Sequence, residues 1–138
     1  MSAKWLIGPI VIALVGCAGP KVASDFPASY RAAGNEPFWH LRVQEQTVTV
    51  DRPDAAAYST QITNITPTED GWQVQASGMA MQIQRMRCED DMSGAPFEHR
   101  VAMQLQGHEY RGCGGAQLPP DRLEQTQWLA TEIRGQAV

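Results

Sequence analysis

From Phe38 to Leu105 apolar residues recur at every second position, the spacing a β-strand with one buried face requires. In "FWHLRVQ", Trp39, Leu41 and Val43 point one way while His40, Arg42 and Gln44 point the other, because successive strand side chains alternate. Val48 and Val50 repeat the pattern, and Ile62, Trp72, Val74, Met79, Met81, Ile83, Val101, Met103 and Leu105 continue it. Turn-forming residues separate the runs at "DRPD", "TPTEDG", "SG", "SGAP" and "QGHE". Short one-faced strands at about 8–12-residue spacing predict an all-β domain, a small antiparallel barrel or sandwich of about seven or eight strands. No long helical period competes; "PPDRLEQTQW" could make a turn or two with Asp121 as its N-cap.

The chain opens "MSAKWLIGPIVIALVGC", in which Lys4 precedes an apolar run from Trp5 to Val15. That run is about 11 residues, where a membrane-spanning helix needs about 20, so residues 1–16 are expected to be a secretion signal. Leu14-Val15-Gly16-Cys17 resembles the lipobox of bacterial lipoproteins. The resemblance implies lipid transfer to the Cys17 thiol, cleavage before it and acylation of the new N-terminus, hence a membrane anchor through Cys17. Several acyl chains, at about 0.8 kcal/mol per buried methylene, hold a protein permanently. Ala18 stands where an aspartate would imply inner-membrane retention, so the expected address is the periplasmic face of the outer membrane. Residues 17–29, rich in small residues and proline, read as a lipidated tether with a reach of about 20 Å.

A lipid on Cys17 leaves Cys88 and Cys113 as one pair in an oxidising compartment, and we expect them to form a disulfide. Cys88 is expected to end the "MAMQIQRMRC" strand and Cys113 to follow "HEYRGC". Without residues 1–16 the formal charge is −5, from ten basic and fifteen acidic residues, since Lys4 is the one charge removed. A mildly acidic chain lacking a Lys/Arg cluster has no electrostatic footprint for nucleic acid, whereas a basic protein partner would suit it. The remaining residues fit one domain, placed at 30–118, followed by a C-terminal segment at 119–138.

Residues that could carry chemistry do not converge. Ser93 lacks the glycine two positions earlier that a nucleophile elbow needs; Asp91 stands there, and no helix is expected to follow. Glu89, Asp90 and Asp91 are consecutive rather than alternating, so they read as a solvated loop in which Asp90 or Asp91 caps turn amides, not as a calcium site. His40, His99 and His108 are scattered, facing outward or lying near turns, without zinc-ligand spacing. The chain is therefore expected to be no enzyme and to hold no metal or cofactor.

Two segments carry a more specific signal. Gly34, Asn35, Glu36, Pro37 and Trp39, with Cys88, Asp90, Met92, Ser93, Gly94, Gly112 and Cys113, resemble the Gly-Asn-Glu-Pro-x-Trp and Cys-x-Asp-x-Met-Ser-Gly…Gly-Cys motifs of an uncharacterised family of bacterial envelope lipoproteins. The resemblance implies an exported β-domain and supplies no catalytic residue. Such domains often stand beside a META domain of the heat-shock lipoprotein type or a C-type lysozyme-inhibitor domain. Leu123, Thr126, Trp128, Leu129, Gly135 and Val138 resemble the opening strand of a META domain; either that domain is truncated, or the segment adds a last strand to the sheet.

The lysozyme-inhibitor neighbour implies a protruding loop that enters an enzyme cleft, here "EDDMSGAPFEHR", with Ser93 approaching a carboxylate and Arg100 or Arg111 as ion partners. That family's Ser-Gly-x-x-Tyr motif has no clear counterpart in this chain. The expected function is a non-catalytic outer-membrane lipoprotein, a binding or stress-related envelope module. Lysozyme inhibition and a structural role in an envelope assembly are the alternatives. Asp90, Asp91, Ser93 and Phe97 are the candidate binding loop.

Overall fold

The computed structural model describes residues 25–121 and 132–137. Among them are nine strands of one sheet: β1 (Ser29–Asn35), β2 (Phe38–Gln44), β3 (Thr47–Arg52), β4 (Ala55–Thr68), β5 (Gly71–Ala76), β6 (Met79–Gln84), β7 (Cys88–Glu89), β8 (Pro96–Leu105) and β9 (His108–Gln117). β1 to β6 form an antiparallel meander; β6 pairs with β8, β8 with β9, and β9 returns to β1 through Ala32↔Gly114 and Ala33↔Cys113. Eight strands thus close a barrel, which removes the free edges an open sheet would expose. The two-residue β7 lies outside the ring and pairs only with the start of β8, at Cys88↔Phe97 and Glu89↔Pro96.

An eight-stranded barrel has just enough interior to be filled by side chains. Trp39, Leu41, Val43, Val48, Val50, Val74, Ile83, Val101, Met103 and Leu105 are completely buried there. Every inward residue expected from the alternation lies in this core, which also takes in Phe26, Tyr30, Ala32, Ile65 and Tyr110. A bulge between Ile62 and Asn64 in β4 shifts the inward position from residue 64 to Ile65. Two-residue turns join successive strands: Ser77-Gly78 after Ala76↔Met79 and Gln106-Gly107 after Leu105↔His108. Gln106 and Gly107 both have positive φ, 50° and 82°, as a tight hairpin turn with right-handed strand twist requires.

Several expectations need correction. The tether does not reach residue 29: Phe26 is buried, edge-on to Trp72 at 5.4 Å between ring centroids, and Asp25 pairs with Arg85 at 3.0 Å. Arg85 also lies over the Trp72 ring at 4.1 Å, so the chain entering β1 is fastened across one end of the barrel. Cys88 does not end β6, which stops at Gln84; residues 85–87 bend away and Cys88 opens β7. His99 faces the barrel end rather than solvent, stacked on Tyr30 at 5.8 Å and edge-on to Trp72 at 5.5 Å. Among the described residues of the C-terminus, β10 (Glu132–Ile133) and β11 (Gln136–Ala137) pair with each other in a two-stranded sheet. The signal segment, Cys17, Leu123, Thr126, Trp128, Leu129 and Val138 lie outside the described residues.

Candidate functional site

Buried apolar side chains fill the barrel interior among the described residues, and the outer wall carries the features able to recognise a partner that are described below. The most elaborate of these is the excursion from Cys88 to Pro96. Cys88 is bonded to Cys113, with Cα atoms 5.5 Å apart, so β7 is fastened to the outer side of β9. Gly112 and Gly114, on either side of Cys113, occupy inward positions. A Cβ on Gly112 would collide with the Ala33 carbonyl, and one on Gly114 with the Tyr30 hydroxyl. Glycine there lets β9 approach β1 closely enough to close the ring.

Asp90 organises the loop. Its Oδ1 accepts from the Ser93 amide at 2.8 Å, the Ser93 hydroxyl at 2.8 Å and the Met92 amide at 3.1 Å. Its Oδ2 accepts from Nδ2 of Asn35 at 2.8 Å. The Asp90 amide donates to the Ala95 carbonyl and its carbonyl accepts from the Gly94 amide, so the loop closes on itself. Gly94 has φ 69°, the left-handed region in which a side chain is strained. Capping therefore falls to Asp90, while Asp91 is exposed.

The Asn35–Asp90 bond joins the two motif segments. Gly34-Asn35-Glu36-Pro37 proves to be the turn from β1 into β2, with a cis Glu36–Pro37 bond, and Asn35 stands at the end of β1 facing the loop. Gly34 leaves room for the Trp39 ring, whose Nε1 donates to the Arg111 carbonyl at 3.2 Å. One motif thus supplies the wall and the other the loop pinned to it.

The Ser93 amide, then the Asn35 amide group and the Ser93 hydroxyl, hold the Asp90 carboxyl down at about 2. A depressed native value stabilises the fold above the unfolded value of about 3.9, and that stabilisation disappears as pH falls through about 2. After allowance for solvent screening of this partly exposed group, Asp90→Asn is expected to cost about 1 kcal/mol at pH 6 and almost nothing at pH 2. Urea denaturation of both proteins at the two pH values measures the difference; an equal cost at both would show that the charge of Asp90 does not hold the loop.

The other expected site residues separate. Ser93 Oγ donates to Asp90 and accepts from the Ala95 amide at 3.2 Å, so its hydroxyl is engaged within the loop and faces no base. Met92 is the most exposed large apolar side chain of the described residues, at 71%. Phe97 is partly buried beside Cys88, and Glu89 lies 3.6 Å from Arg87, which also pairs with Asp121 at 2.8 Å. Arg111 pairs with Glu109 rather than with the loop. His99 meets Tyr30, its Nδ1 3.3 Å from the Tyr30 hydroxyl. Burial, reinforced by Glu98, pushes the tyrosine up, and burial pushes the histidine down.

Two concavities flank the loop. A polar one of about 440 Å³ carries Glu89 and Asp91 together with Arg100 and Arg111. An apolar-lined one of about 410 Å³ runs over β1 and β9 toward Arg31, His40 and Arg42. The alternation identifies His40 and Arg42 as outward but gives no sign that they border a groove. Arg31, the cross-strand partner of Arg42, sits on a strand whose Ala-Ala-Gly sequence hides its period. No family model, curated protein or solved structure matches this chain.

Proposed function

We propose that this protein is a non-catalytic envelope lipoprotein that recognises a partner through the outer loop Glu89–Phe97. The observation that carries this reading is the Asp90 hub. Four hydrogen-bond donors, three of the loop and one of Asn35, converge on its carboxylate to hold a short exposed segment in one shape, with Met92 displayed at its tip. A loop ordered before binding loses less entropy on association than a flexible one. An exposed methionine adapts its shape to the surface it meets. Cys17 would hold the barrel at the periplasmic face of the outer membrane, and the short segment before Asp25 would keep the loop near that surface.

Lipid attachment is tested by growth with labelled palmitate. Label is expected on the wild type and absent from Cys17→Ser; an unlabelled wild type would refute the anchor. Lysozyme inhibition draws no support from Ser93, whose hydroxyl serves the loop itself. The purified chain in micromolar excess is therefore expected to leave lysozyme activity unchanged, and dose-dependent inhibition would replace this reading with the inhibitor one.

A further inference from the structure

Arg31 on β1 and Arg42 on β2 are direct cross-strand partners on the outer face. Like charges placed opposite one another destabilise a sheet. Asp51 pairs with Arg42 at 3.1 Å, whereas among the described residues Arg31 makes no ion pair or side-chain hydrogen bond. The row also contains His40, the cross-strand neighbour of both Ala33 and Asp51. Arg31 and Arg42 line an apolar groove of about 410 Å³ together with Asp51 and Asp90, so Arg31 is the cation of that lining without an ion-pair partner among the described residues. Ala33 and Cys113 are cross-strand partners in the groove lining, to which Phe97 also contributes. Asp90 lines the end toward Asn35, its charge already directed at the donors of the loop.

We propose that this groove binds a small amphiphilic carboxylate. The carboxylate would lie between the Arg31 and Arg42 guanidiniums, and a short acyl or aryl body over Ala33 and Cys113 against Phe97. The planar forks of two arginines match a carboxylate's two oxygens, and Arg31, with no ion-pair partner among the described residues, supplies the charge for one anion. The volume lies within the range of small-ligand pockets, and the lining has the usual composition of apolar walls with a few polar groups. Bound anion would also relieve the repulsion between the two arginines, so the unliganded wall retains an electrostatic cost that ligand removes. This reading goes beyond recognition by the loop, with which the groove shares only Asp90 and Phe97.

Calorimetric titration of the purified full chain with octanoate tests the assignment. Binding at or below about 1 mM is expected for a ligand of this size. Octanamide, which lacks the charge, and acetate, which lacks the chain, are expected to bind at least about tenfold more weakly. Arg31→Gln is expected to lose about tenfold in octanoate affinity while melting no lower than the wild type, since it removes a like-charge pair. Met92→Asp should leave octanoate binding unchanged, which separates the groove from the loop. Absence of binding at millimolar octanoate, equal affinity for octanamide, or an undiminished affinity of Arg31→Gln would overturn the site. Tighter binding of octyl phosphate would overturn the carboxylate assignment.

Discussion

Replacing Trp39 by alanine is expected to lower the unfolding free energy by about 4 kcal/mol, the scale for deleting a buried aromatic side chain. The ring is completely buried, edge-on to Tyr110 at 6.5 Å, and its Nε1 satisfies the Arg111 carbonyl of β9. It therefore fills the barrel and ties β2 to a strand two places away. A cavity of that size cannot collapse when the surrounding wall is a closed ladder. For a domain with about 5–15 kcal/mol of stability, the loss would leave a protein close to unfolding at 37 °C. Denaturant titration gives the value; a loss below about 1 kcal/mol would mean that Trp39 is not at the centre of the core. Should the alanine variant fail to accumulate, Trp39→Phe keeps most of the volume and isolates the Nε1 bond, with an expected cost of about 1–2 kcal/mol.

Opening the Cys88–Cys113 bond is expected to cost about 3.5 kcal/mol. The two cysteines close a chain segment of about 26 residues, and the loop-entropy relation gives that figure for the restriction lost from the unfolded chain. The bond also fastens β7, which has only two residues paired to β8 and would otherwise have little to hold it against the barrel. Cys88→Ser/Cys113→Ser, compared with the oxidised wild type by denaturant titration, measures the cost. The same change should increase amide exchange in residues 88–95 more than in β2 or β3. Uniform loosening, or no change in that segment, would show that the disulfide does not hold the loop.

How much of this was legible beforehand depended on whether a strand's two faces differ in polarity. β2, β3, β5, β6 and β8 have apolar residues on one face and Gln, Thr, Arg or other polar groups on the opposite one, and their inward residues follow from counting by two. β1 reads Ser-Tyr-Arg-Ala-Ala-Gly-Asn, where alanine and glycine give no contrast, so neither the strand nor its inward Tyr30 stands out. Ile65 is hidden differently, because a bulge changes parity within β4 and no residue type marks it. Closure into a barrel rather than a sandwich depends on β9 reaching β1, which Gly112 and Gly114 permit but do not announce. Among site residues, the capping role of an acid in "EDDMSG" follows from turn chemistry. Its bond to Asn35 joins positions 55 residues apart and could not be read locally. The Arg31–Arg42 pairing escaped for the same reason, since cross-strand register is a property of the folded sheet.

The polar contribution of Asn35 is small in energy and large in placement. Removing it leaves Asp90 its three bonds within the loop, so the loop keeps its turn but loses its attachment to the wall. Asn35→Ala should therefore cost about 1 kcal/mol in stability, yet change partner recognition more than that figure alone suggests.

Recognition by the loop is tested most directly by photo-crosslinking in living cells, with a photoreactive residue at position 92 and, as control, at the exposed Thr63 of β4. A discrete crosslinked species is expected from position 92 that is absent from position 63 and lost when Asp90→Ala is added. The same species from both positions, or none from position 92, would contradict the assignment of the loop as the binding surface.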